Sequence, residues 1–253
     1  MPVSFLQELV FYSVMKFLKA FSLTLGLLVL SLLCKTFLKE ENLLQSITII
    51  MIYFSIIFIG LNGNKKKFWA FVENTKIEVN PKAIFYGIIG VFGLFLVNYA
   101  ITNLFWKWYS PEIIESYRPI YMSVGSIIYV ILVSPIIEEL FFRKLLAKGL
   151  YSNYGLKKSV IATALFFSIA HLGGDSGLLP VFLGGVFLTY FFLTYSDILA
   201  VIVVHSIYNI LNLFVYYRMV KPFDSAKTII LILLTGIVLM GLFIILNRRN
   251  RLS

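Results

Sequence analysis

Apolar residues in this chain run in long unbroken stretches, and polar residues collect between them. The stretches fall at roughly 19–38, 43–61, 83–105, 121–142, 159–174, 178–195, 197–217 and 227–246. Most span about 17 to 25 residues, which as a helix is enough to cross a hydrocarbon core of roughly 30 Å. A transmembrane barrel would instead show short segments of alternating apolar and polar residues. The pattern therefore predicts an all-α, polytopic transmembrane helical bundle of about eight spans.

Composition agrees: 60% of the 253 residues are hydrophobic and mean hydropathy is +0.91, values that point to lipid as the solvent. The net charge of +10 lies in short segments between spans. It reads as topology and excludes nucleic acid as a partner. Lys16 and Lys19, the run Lys65, Lys66 and Lys67 with Lys76 and Lys82, then Arg143, Lys144, Lys148, Lys157 and Lys158, and finally Arg248, Arg249 and Arg251 fall on one side of an eight-span arrangement. That side is expected to be cytoplasmic, with both termini. The run at 65–67 is also suited to attracting anionic lipid. The first span is expected to be retained, because no small-residue cleavage site follows it. Cys34 is the single cysteine, which excludes an intrachain disulfide and a cysteine-rich metal site. Three parts are expected: residues 1–120 with three spans, 121–217 with the four middle spans, and 218–253 with a last span and basic tail.

Ionisable side chains inside spans are costly, by about 2.5 to 3.5 kcal/mol each on insertion scales, and invite a functional reading. None lies mid-span in the first 120 residues. Ser134-Pro135-Ile136-Ile137-Glu138-Glu139-Leu140-Phe141-Phe142-Arg143 closes the fourth span with two carboxylates and a cation. Glu139 and Arg143 are four apart and share a helix face, while Glu138 points about 100° away. Arg143 is thus expected to pair with Glu139 and leave Glu138 for chemistry. Pro135 removes a backbone donor one turn earlier and should kink the helix. The only two histidines, His171 and His205, both lie in apolar spans, and Asn209 follows His205 by one turn. Counted at 1.5 Å per residue, Glu138 lies roughly 10–15 Å deep, His171 about 18 Å and His205 about 10 Å, one layer for all three.

Such a cluster suits water activation. Low dielectric makes a carboxylate a stronger base toward water attacking a carbonyl. Histidine can orient that water or protonate the leaving amine. His205 and Asn209 offer donors for a developing oxyanion. Ser168 and Ser206 lie near the histidines in sequence, but adjacent helix positions point apart, so no Ser/His pair is read. Asp175, in Gly173-Gly174-Asp175-Ser176-Gly177, reads as turn chemistry, and Asp197 as a helix-start residue.

Glu-Glu-x-x-x-Arg at Glu138, Glu139 and Arg143, Phe-x-x-x-His at Phe167 and His171, and His-x-x-x-Asn at His205 and Asn209, in that order, resemble the CPBP family of intramembrane proteases. That family includes the CAAX-processing endopeptidase and bacterial immunity-type relatives. The resemblance covers roughly residues 121–217. It implies an eight-helix fold and a glutamate-type endopeptidase in which Glu138 activates water and His171 assists. Glu139 and Arg143 would shape the site, and His205 with Asn209 would form its oxyanion side.

The leading expectation is hydrolysis of a peptide bond in a membrane-anchored or prenylated protein or peptide, CAAX-type processing being one form. The partners are that substrate and the bilayer; the location is a plasma membrane if the host is prokaryotic. No cofactor is expected, although two histidines and a glutamate leave zinc open; the His-Glu-x-x-His motif is absent. Two other classes stand beside it: a non-enzymatic immunity or chaperone-like membrane protein using the cluster structurally, and a proton-coupled transporter. The lack of an internal repeat weighs against the transporter.

Overall fold

The computed structural model describes residues 15–38, 43–73, 80–104, 123–172, 177–216 and 225–252. Every regular element among them is helical: α1 (Phe17–Phe37), α2 (Leu43–Gly60), α3 (Lys65–Glu73), α4 (Pro81–Leu104), α5 (Val124–Ile128), α6 (Ser134–Glu139), α7 (Lys148–Ala170), α8 (Leu178–Tyr195), α9 (Ile198–Ile210) and α10 (Ala226–Leu252). Three π-helical stretches interleave with them: π1 (Tyr129–Val133), π2 (Leu140–Ala147) and π3 (Leu211–Tyr216). Among the described residues seven helices are long and apolar enough to cross a membrane, and the protein is an integral, multi-pass membrane protein.

The fourth of these is one run of 47 residues, Val124–Ala170, where the sequence reading places two spans joined by a connection. The residues after Arg143 are mostly good helix formers, and helical geometry breaks only at Gly155, with φ 69° and ψ 179°. That backbone region is open essentially to glycine alone. The arms on either side of Gly155 correspond to the two expected spans, so about eight spans remains consistent. Arg143, Lys144 and Lys148, assigned to the connection as loop charge, are instead helical and buried.

The chain divides into two compact units. One comprises Met1–Glu78 and Ile136–Ile198, the other Val79–Pro135 and Leu199–Ser253. In the first, α1 packs on α2 and α7, and α7 on α8. Gly185 brings α8 so near α7 that an added Cβ would stand 2.9 Å from the Ala164 Cα. The core gathers Leu23, Leu27, Ile57, Phe141, Phe142 and Leu146. The start of α1 is tied to α7: the Phe17 N–H donates to the Tyr154 hydroxyl at 3.2 Å and Asn153 Nδ2 to the Met15 carbonyl at 3.0 Å. In the second unit α4 crosses α10 at Gly93 and Gly236, where a Cβ on Gly236 would meet the Gly93 carbonyl oxygen at 2.9 Å. Close backbone approach through small residues is how helices pack in lipid, where burial of apolar surface gives little drive. On α10, Leu231, Leu234, Ile237 and Val238 stay exposed, a surface that acyl chains would solvate.

Candidate active site

In the first unit Glu138 and Glu139 end α6 and π2 begins at Leu140. Glu138 is 8% exposed and Glu139 fully buried. Arg143 pairs with Glu139 as their four-residue spacing predicts: Nη1 lies 3.0 Å from Oε1, both side chains inaccessible to solvent. The guanidinium has a second neighbour, since its carbon sits 4.5 Å from the Phe167 ring centre, within cation–π range. Its Nε and Nη2 make no hydrogen bond among the described residues. The Glu139 carboxylate and the Phe167 face are thus the two groups in direct contact with this buried cation.

Phe167 continues the chain of contacts. Its other neighbour is the His171 imidazole, with centroids 4.5 Å apart and planes tilted by 53°, while Phe142 meets it edge-on at 5.0 Å. His171 lies just past the end of α7, with φ −96° and ψ 7°. Its Nδ1 is 2.7 Å from the Phe167 carbonyl oxygen. A carbonyl only accepts, so Nδ1 carries a proton and donates it to this contact. The residue is half-buried. Glu139, Arg143, Phe167 and His171 thus form one continuous line of contacts.

Beside it, Lys144 Nζ donates to the Phe71 carbonyl in the last turn of α3 and sits 4.6 Å from the Phe71 ring centre. Lys144 anchors the short helix that begins with Lys65, Lys66 and Lys67. A cation at a helix C-terminus also meets the favourable end of its dipole.

His205 and Asn209 belong to the second unit, on α9. His205 is 5% exposed. Asn209, half-buried, donates through Nδ2 to the Val130 carbonyl at 2.8 Å. On the same helix the Tyr208 hydroxyl accepts from Asn98 Nδ2 of α4 at 2.6 Å, and Asn212 Nδ2 donates to the Tyr208 carbonyl at 2.8 Å. Asn98 is not ionisable, so it carries none of the charge signal that marks the later spans. An amide inside an apolar span was nevertheless a signal, since it must find a partner across helices. In the sequence Phe167 is a motif letter without a role.

Ser168 is bound locally, donating to the Leu178 carbonyl at 3.0 Å. Asp197 is buried immediately before α9. Asp175 and its glycine-rich turn lie outside the described residues. Among the described residues no group of three or more His, Cys, Asp and Glu is arranged to hold a metal ion.

Residues 120–211 match the model of a protein family described as type II CAAX prenyl endopeptidase Rce1-like. The central segment is similar to that family. It contains Glu138, Glu139, Arg143, His171, His205 and Asn209, and the match bears out the resemblance carried by the motifs. The Rce1-like segment supports assignment of the protein as a protease of the membrane. No curated protein and no solved structure matches the chain.

Proposed function

We propose that the protein is a glutamate-type intramembrane endopeptidase acting on a membrane-anchored, prenylated protein or peptide, with residues 121–217 as its catalytic core. The observation that carries this reading is the contact line Glu139, Arg143, Phe167, His171. It ties the carboxylate motif to the histidine motif, with Glu138 next to the ion pair on the same helix.

Glu138 accepts a proton from water as the water oxygen attacks the scissile carbonyl carbon. The C–O bond forms and the carbonyl π electrons move to oxygen. In the family that the motifs resemble, the oxyanion side is the part that falls to His205 and Asn209. The tetrahedral intermediate collapses as the C–N bond breaks. The nitrogen leaves as an amine after taking the proton held by Glu138, with His171 assisting the transfer. Arg143 holds Glu139 in the buried ion pair. The hydrophobic surround excludes bulk water and strengthens each of these interactions. A plasma membrane is the proposed location if the host is prokaryotic.

The test is cleavage of prenylated and membrane-anchored reporter peptides by purified wild-type and His171→Gln protein, each with and without a chelator. The proposal expects wild-type cleavage that survives the chelator, and a fall of about 10²- to 10⁴-fold for His171→Gln if its proton transfer is required. Loss of wild-type cleavage with chelator would replace the glutamate mechanism with a metal-assisted one. Absence of cleavage with intact biological activity would favour a non-enzymatic immunity or chaperone-like role.

A further inference from the structure

The run that leads to Glu138 changes register just before it. The Ser134 N–H bonds to the Tyr129 carbonyl, five residues back, so the helix reaches position 135 in π register. In that register the next N–H would serve the Val130 carbonyl. Residue 135 is proline and has no N–H to give. A carbonyl orphaned inside a membrane protein costs free energy unless another donor reaches it. Asn209 Nδ2 reaches it, at 2.8 Å.

We infer that Asn209 is a positioning residue: its amide stands in for the N–H that Pro135 lacks and holds the helix bearing Glu138 in its π-shifted phase. The consequence for chemistry comes from helix geometry. A π turn adds one residue to the circuit, and one residue is about 100° of rotation in an α-helix. Relaxing π1 to α geometry would turn Glu138, three residues beyond Pro135 in the same helical run, relative to the residues before the bulge. Holding the phase therefore decides which way the proposed base faces. In this role Asn209 acts through the backbone, whereas the motif-based expectation has it donate to the reacting oxygen. The inference rests on Glu138 being the base only for its effect on activity, since the hydrogen-bond coupling stands apart from any reaction.

A double-mutant cycle between positions 135 and 209 separates the two roles. Pro135→Ala restores a backbone N–H that can satisfy the carbonyl. Asn209→Ala removes the side-chain donor. If Asn209 caps the orphan, Asn209→Ala lowers reporter kcat by about tenfold in the parent and by less than roughly threefold in the Pro135→Ala background, with the fall in Tm shrinking in parallel. Recovery of folding for Asn209→Ala only in the Pro135→Ala background would be the same result in stronger form. Equal losses of Tm in both backgrounds would overturn the inference, as would failure to fold in both. If the parent cleaves no reporter, the protease reading fails while the unfolding cycle still decides the coupling.

Discussion

Arg143 is among the largest side chains fully buried in the molecule, and its charge is met by Glu139 and the Phe167 ring. A buried ion pair is poor evidence of net stabilisation, but losing one partner strands the other charge. Arg143→Ala and Glu139→Ala are each expected to destabilise by about 3–5 kcal/mol. Glu139→Leu combined with Arg143→Met, which removes both charges and keeps volume, should cost less than either single change. Unfolding of the four proteins in detergent checks this. A double variant less stable than both singles would contradict it. The pair was legible from its four-residue spacing. Phe167 between Arg143 and His171 was not, because that contact joins distant stretches of one helical run, and periodicity carries no information on which faces meet.

Helix packing gives a paired test at Gly184 and Gly185. They are neighbours on α8 but face different surroundings: a Cβ on Gly185 would meet the Ala164 backbone at 2.9 Å, while one on Gly184 meets nothing within 4 Å. Gly185→Ala should force α7 and α8 apart and cost about 1–3 kcal/mol. Gly184→Ala should be neutral or stabilise by roughly 0.5–1 kcal/mol through helix propensity. Thermal unfolding of the two variants gives the order directly, and a reversed order would show that α8 packs by another face. Gly155 makes the complementary case. Space is open around it, yet its backbone angles exclude other residues, so Gly155→Ala is expected to cost about 1–3 kcal/mol by strain alone. The apolar runs predicted these elements to within a few residues. They missed that the fourth and fifth expected spans join into one kinked run, because positive charge after Arg143 reads as a loop when the burial of Lys144 against Phe71 is not visible.

Across the whole molecule, most of the fold was written in the lengths of the apolar stretches, since a membrane leaves helices as the only economical way to satisfy backbone groups in such segments. The proposed site was legible as residue types, two carboxylates, a cation, two histidines and an amide in rare intramembrane positions. Its connections were not: the His171 ring is held by the Phe167 carbonyl, and the amide of Asn209 reaches a carbonyl that only the π register identifies. Such contacts arise from tertiary placement, which one sequence does not encode in any local pattern. The central claim is that the Glu138 carboxylate activates the attacking water. It is tested most directly by the single-turnover cleavage rate of a prenylated reporter with purified wild-type and Glu138→Gln protein of matched Tm. The account predicts that the glutamine, nearly the same shape but unable to take the proton, lowers the rate by at least about 10²-fold; cleavage by Glu138→Gln within a few-fold of wild type would contradict it.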